Sequence, residues 1–143
     1  MKWIQKDINM KCNGKGCYLI TEKIISHLPE IKEFKAGMLV LFIKHTTASL
    51  SLNENSDSNV RRDLTKALDN IVPISMSDNF KHQSEGPNDM ISHVKSSLLN
   101  SSIMIPVKNG FLDLGTWQGI YLCEHRNEKK KRRISLNLYG ISN

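Results

Sequence analysis

Long apolar runs, paired cysteines, linker-like proline or glycine tracts and aromatic residues are all scarce in this sequence. The longest unbroken apolar stretch, Met38 to Ile43, falls far short of the roughly 18 residues that a membrane helix needs, so no association with a membrane is expected. The opening Met1-Lys2-Trp3-Ile4-Gln5-Lys6-Asp7 puts charges where a secretory leader carries its apolar centre, and the expected location is intracellular, in the cytoplasm. Three cysteines, Cys12, Cys17 and Cys123, are an odd number, and the first two are spaced neither as a redox CxxC nor as a zinc knuckle. Free buried thiols are the default reading, with a Cys12 to Cys17 bridge left open. No internal repeat and no low-complexity tract divides the chain.

What is present suits one domain over residues 1–143, with 39% hydrophobic and 24% charged residues. Folding at this size removes about two-thirds of the unfolded chain's surface from water. A structural metal or disulfide is therefore unnecessary, and any metal would be functional. The formal net charge is +6, of which five positive charges lie in Lys129-Lys130-Lys131-Arg132-Arg133, and the remainder is +1. The basic character is thus local to one segment, which argues against a whole face built for nucleic acid.

Loose alternation from Lys2 to Lys11 reads as a strand, Asn13-Gly14-Lys15-Gly16 as a turn, and Tyr18 to Thr21 as a second strand. Thr21 is placed to cap a helix carrying Ile24, Ile25, Leu28 and Ile31, which Pro29 shortens or kinks. Met38 to Ile43 is apolar on both parities and predicts a central strand covered on two faces. A further strand alternates Leu50 and Leu52 with Ser49 and Ser51. Asp57 or Ser58 then caps a helix whose stripe is Val60, Leu64, Ala67, Leu68 and Ile71. Gly86-Pro87-Asn88-Asp89 opens another helix, with Asn88 as its cap and Ile91, Val94 and Leu98 facing inward. Ser102 to Val107 and Phe111 to Leu114 flank the turn dipeptide Asn109-Gly110, and Ile120 to Arg126 pairs with Arg133 to Tyr139 across a basic loop. The fold class read from this order is α+β with mainly antiparallel pairing.

Side chains able to do chemistry gather in four places. His45-Thr46-Thr47 stands at the exit of the predicted central strand, where side chains can reach a cleft. Asn53-Glu54-Asn55 and Asp57 form a polar connection that ordinary turn chemistry also explains. The densest set is His82, Glu85, Asp89 and His93. Asp89 and His93 are one helical turn apart and share a face, toward which the preceding loop can fold His82 and Glu85. Such a set can hold Zn2+ through nitrogen or Mg2+ through oxygen, or do acid–base work without metal. Its bland counterpart is a helix N-terminal carboxylate beside an exposed histidine. The fourth place is Gly115-Thr116-Trp117-Gln118-Gly119, followed by Glu124-His125-Arg126. Alternation turns Glu124 inward, where a carboxylate needs a partner.

The runs His45-Thr-Thr-Ala-Ser-Leu, Asn53-Glu-Asn, Val60-Arg-Arg-Asp-Leu, Glu85-Gly-Pro-Asn-Asp-Met, His93-Val-Lys-Ser-Ser-Leu and Leu114-Gly-Thr-Trp-Gln-Gly-Ile-Tyr-Leu resemble the YjbQ-like family, in order, from about Gly37 to Tyr139. The first third matches in pattern only. The resemblance implies an antiparallel β-sandwich with helices packed on it, assembled as a homotrimer, and some members are described as secondary thiamine-phosphate synthases. It also implies a polar pocket lined by His45, His82 and His93, with Glu54, Glu85, Asp89, Trp117, Gln118 and Glu124 close by. Two departures are Ile91, where proline is expected after Asp-Met, and a lysine-rich Lys129 to Arg133 segment.

Joining a pyrimidine methyl diphosphate to a thiazole phosphate requires the departing diphosphate to be neutralised. The expected catalytic residues are His45, Glu54, Asp89, His93 and Lys95. A divalent metal, Zn2+ or Mg2+, is expected on His45, His82, Glu85 and His93, with Asp89 able to share a Mg2+. The phosphorylated substrate is expected against Thr46, Thr47, Asn53, Asn55, Asn88, Trp117, Gln118 and Glu124, with Trp117 stacked on the pyrimidine and Arg61 as further positive charge. The alternatives are a metal- or ligand-binding trimer without robust catalysis and, less favoured, a nucleic-acid-binding module acting through Lys129 to Arg133.

Overall fold

Alternation organises the first strand, β1 (Lys2–Cys12), with Ile8, Met10 and Cys12 buried and Trp3 to Lys11 at odd positions turned outward. The computed structural model describes residues 1–143. After β1 come β2 (Gly16–Leu19), α1 (Thr21–Ser26), β3 (Phe34–Ile43), β4 (Ala48–Glu54), α2 (Ser58–Ile71), α3 (Pro87–Leu98), β5 (Ser102–Lys108), β6 (Phe111–Leu112), β7 (Gln118–Glu124) and β8 (Lys130–Ser142). One sheet has the order β1-β8-β3-β5-β6 and the other β2-β7-β4, and every pairing is antiparallel. The α+β class is therefore as the sequence predicts.

Leu39, Leu41 and Ile43 of β3 and Ile134, Leu136 and Leu138 of β8 meet Leu50, Ile120 and Leu122 of the second sheet in a common core. Each such side chain contributes roughly 1.5–3 kcal/mol by leaving water. Helices α2 and α3 cover the other side of the second sheet, so β7 is buried along nearly its whole length. The far side of the first sheet has no such cover, leaving Trp3, Phe42 and Met104 exposed beside Met38 and Val40.

Several local expectations hold. Asp57 accepts the Asn59 N–H at 2.9 Å as the cap of α2. Pro29 ends α1 and begins a 3-10 turn over Pro29–Glu33. Asn109 and Gly110 both take positive φ, 50° and 83°, in the β5–β6 hairpin.

Others are corrected. Thr21 does not cap α1; its hydroxyl instead accepts the Ile120 N–H at 2.8 Å, because β2 brings it against β7. Asn88 does not cap α3 either. The capping position is Gly86 at φ 92°, a conformation open to glycine, and Asn88 lies one position after Pro87 in the first turn. Ile71 and Leu98 are exposed, since both stand at helix ends beyond the sheet. The strand predicted to be covered on both faces, β3, is covered on one within this chain, and that role falls to β7. Finally, β7 and β8 do not pair as a hairpin: β7 joins β2 and β4, while β8 joins β1 and β3. The basic segment is therefore largely strand rather than loop, and pleating sends Arg132 inward and Lys131 and Arg133 outward.

Candidate functional site

Helix α3 carries the site because Pro87 can occupy its first turn without losing an intrahelical bond. Asp89, 2% exposed, sits in that turn and is the hub. One of its oxygens, Oδ2, lies 2.7 Å from His82 Nε2 and 3.0 Å from His93 Nε2, and Oδ1 accepts from Arg126 Nη1 at 2.5 Å. His93 arrives from one turn further along α3. His82 arrives from the preceding loop, which Gln83 pins by donating to the Ser77 and Phe80 carbonyls at 2.5 and 2.7 Å. Glu85 stands at the rim, 3.8 Å from His82 Nε2. Burial pushes the Asp89 carboxyl up, but bonds from His82 and neighbouring groups outweigh it and hold the pKa below the ordinary carboxylate value.

The orientation of His93 constrains the chemistry. Its Nδ1 lies 3.0 Å from the Thr46 carbonyl, an acceptor only, so Nδ1 carries a proton. In neutral His93 the Nε2 lone pair then faces a carboxylate oxygen at 3.0 Å. Two acceptors at that distance need either a second proton on the ring or a cation among the three ligand atoms. One ligand atom from each of His82, Asp89 and His93 lies within 4.8 Å of the other two. A nitrogen-rich set with a carbonyl holding the outer ring nitrogen fits a borderline ion such as Zn2+. It fits Mg2+ poorly, because that ion seeks oxygen ligands and Asp89 already spends one oxygen on Arg126.

His45 is close by but is not part of this trio. Its Nε2 accepts the Arg133 N–H at 2.7 Å, so Nε2 is not free to bind metal and the proton is on Nδ1. Burial, followed by the Arg132 charge, lowers its pKa. His45, Thr46 and His93 line one open cavity of about 550 Å3 together with Ser96, Ser97, Leu99 and Ser101.

A family model for UPF0047 protein YjbQ-like sequences matches residues 6–141. The chain belongs to the YjbQ-like family. It is 41% identical over 138 residues to UPF0047 protein YjbQ of Escherichia coli O157:H7, covering 96% of this chain and 99% of that one. Among solved structures, a protein of unknown function from Sulfolobus solfataricus superposes with a TM-score of 0.84 at 25% identity, covering 97% of this chain and 98% of that one. An uncharacterised family member from Clostridium acetobutylicum gives a TM-score of 0.79 at 33% identity, covering 95% and 99% respectively.

In this YjbQ-like chain the pocket expected from the sequence is divided. Asn53, Glu54, Asn55, Trp117 and Gln118 lie at the far ends of β4 and β7. The length of β4, about 20 Å at 3.3 Å per residue, separates them from Thr46 and Thr47. There Glu54 accepts the Ser56 and Asp57 N–H groups, Asn55 donates to the Thr116 and Gln118 carbonyls, and Gln118 accepts the Gly115 N–H. These bonds brace turns, and Trp117 is left exposed.

Lys95 is also displaced. Two positions after His93 it occupies nearly the opposite side of α3, buried, with Nζ 2.5 Å from Asp69. Asn88 lines a cavity with Lys95 and Asp69, separate from the one beside His93. Thr47 and Glu124 are buried against Arg132 and present nothing to a ligand. Sequence reasoning assigned no role to Arg126, the third partner of Asp89, although it follows the inward-facing Glu124 by one strand repeat. Its Nε is buried with no partner.

Proposed function

We propose that this YjbQ-like protein binds a divalent ion of the zinc class through His82, Asp89 and His93 and works on a small phosphorylated substrate in the adjoining His45–Thr46–His93 cavity. The observation that carries this reading is the His93 ring, with Nδ1 committed to the Thr46 carbonyl and Nε2 aimed at Asp89. The reaction that the family resemblance implies is thiamine-phosphate synthesis, in which a C–O bond to diphosphate breaks as a C–N bond to the thiazole forms. A metal bound there would neutralise charge on the departing diphosphate. Arg126, rather than the buried Lys95, is the cation beside it, its guanidinium shared between Asp89 and Glu128, and Asp89 holds Arg126 and both imidazoles in place.

Elemental analysis of protein dialysed against Zn2+ is expected to give a ratio near one. Asp89→Ala and His93→Ala should each weaken binding by at least about 100-fold, given that even outer-shell changes cost 10–100-fold. Synthase turnover should fall with it. Variants equal to wild type in both assays would sink the proposal. Metal binding without turnover leaves the alternative of a binding protein of another role. A second reading, favoured by the same contact, is a metal-free His93 imidazolium serving as general acid; turnover unaffected by chelation identifies it.

The assembly expected from the resemblance, a homotrimer, is proposed through the uncovered face of the first sheet. Trp3 stacks on Tyr139 at 4.7 Å, and Met38, Val40, Phe42 and Met104 extend the apolar surface across β3 and β5. Light scattering should give three copies for wild type and one for Phe42→Lys; an unchanged trimer in the variant places the contact elsewhere. Nucleic-acid binding is not favoured, because pleating of β8 divides the basic run and buries Arg132. No helix is long and apolar enough to cross a membrane.

A further inference from the structure

Cys17 of β2 and Cys123 of β7 are direct cross-strand partners. Three residues along the same ladder, the Ile20 N–H donates to the Ile120 carbonyl at 2.8 Å. Hydrogen-bonded and non-hydrogen-bonded pairs alternate in an antiparallel ladder, so the odd offset makes Cys17 and Cys123 a non-hydrogen-bonded pair. In such pairs the Cα atoms stand about 4.5 Å apart and the side chains are closest. Their sulfurs are 3.4 Å apart as free thiols. A disulfide at about 2.05 Å therefore needs an approach of about 1.4 Å, within what side-chain rotation supplies.

The two thiols differ in surroundings. Cys123 is fully buried. Cys17 is half-buried and opens onto a cavity of about 350 Å3 lined by Lys15, Arg61, Arg62, Ser58 and Thr65, with no carboxylate among the lining residues. Lys15 is partly neutralised by its pair with Asp69, while Arg61 is held over the Tyr121 ring and bonded to the Glu54 carbonyl. The Thr65 hydroxyl lies 3.6 Å from Cys17 Sγ. The hydrogen-bond contact with Cys123, together with Thr65 and Arg61, holds the Cys17 pKa below its usual value against the effect of burial. Cys12 is the opposite case, pushed up to about 12 by burial and by the Glu124 charge.

We propose that Cys17 and Cys123 form a reversible dithiol–disulfide couple oxidised by small hydroperoxides that reach Cys17 through the cationic cavity. The Cys17 thiolate attacks the terminal peroxide oxygen; the O–O bond breaks, and the departing alkoxide or hydroxide takes a proton from water. Cys17 is oxidised by two electrons to the sulfenic acid, and the peroxide is reduced. Cys123 then attacks the Cys17 sulfur, the S–O bond breaks, and the leaving hydroxide combines with the proton released by Cys123 to form water. The cations favour both the attacking thiolate and the leaving anion. A thiol reductant reverses the bridge by exchange.

The test uses the full chain treated with one equivalent of hydrogen peroxide, followed by alkylation and peptide mass spectrometry. The expected result is a fall from three free thiols to one, a Cys17–Cys123 linked peptide, and recovery of all three with dithiothreitol. Cys17 should also alkylate at least about tenfold faster than Cys12. In Cys123→Ser, dimedone should trap a sulfenic acid at Cys17; in Cys17→Ser, which keeps the buried thiol, peroxide should consume no thiol. Three persistent thiols in the wild type, a bridge to Cys12, or over-oxidised Cys17 beside an alkylatable Cys123 would each overturn the couple.

Discussion

Arg132→Met is expected to lower the free energy of unfolding by about 3–5 kcal/mol, the usual cost of leaving one member of a buried ion pair alone. Glu124 and Arg132 are 1% and 4% exposed. The guanidinium grips the carboxylate at two points, Nε to Oε2 at 2.6 Å and Nη2 to Oε1 at 2.5 Å, and the same Nη2 lies 2.9 Å from the Thr47 hydroxyl and 3.2 Å from its carbonyl. Because β7 and β8 belong to different sheets, the pair ties the two sheets together at one end. Methionine fills much of the volume but offers no donor, so Glu124 stays buried without its counter-charge. Its remaining protein donor is the Arg126 N–H at 3.0 Å. Arg132→Met combined with Glu124→Leu should recover most of the loss, since an apolar pair of similar volume carries no desolvation penalty. Urea unfolding of the two variants checks both halves; a single variant within about 1 kcal/mol of wild type would show that the pair is solvated.

Acid should weaken the fold before its carboxylates titrate, through His125. This ring is 2% exposed and its pKa is lowered to about 4, first by burial and then by the charges of Lys95 and Arg132, with Asp69 acting weakly the other way. Its Nε2–H donates to the Ser49 hydroxyl at 3.0 Å, and that hydroxyl donates to the Ser96 carbonyl at 3.2 Å, so the neutral ring fits a fixed hydrogen-bond direction. In the unfolded chain the same imidazole titrates near 6.5. Between these values the unfolded state binds a proton that the folded state does not, so stability falls as pH falls. The contribution is whole above about 6.5, is lost by about pH 4, and amounts to roughly 3 kcal/mol at 1.36 kcal/mol per pH unit. Asp69 and Asp89, whose pKa values are lowered, add a separate loss below that window. His125→Gln keeps a donor but cannot titrate, and it should lose much less stability than wild type from pH 7 to 4.5, the remainder coming from His45, whose pKa is also lowered. If wild type and variant lose stability in parallel there, His125 is not the cause.

The site was legible where its information is local. Asp89 and His93 are spaced by one helical turn, and any helix over those residues puts them on one face, whatever surrounds it. Glu124 was legible as an inward carboxylate for the equivalent reason in a strand. Lys95 was not: helical geometry already turns it away from His93, but its reason for being buried, Asp69, sits on another helix. Arg126 could not be joined to Asp89 without knowing that β7 ends beside the first turn of α3. The residues around Glu54 and Trp117 carry the same polar signature as a pocket, but Glu54, Asn55 and Gln118 instead brace the turns after β4 and before β7 and Trp117 is exposed.

Periodicity and turn dipeptides determined on their own which segments are strand or helix and most of the side chains that turn inward, because those choices depend on neighbours within a few residues. Only the tertiary structure decided that β7 and β8 enter different sheets, that His45 faces a backbone amide rather than the Asp89 cluster, and that Cys17 meets Cys123. Strand pairing is settled by contacts between segments far apart in the chain, where many registers satisfy the same local pattern and packing of the whole core selects one.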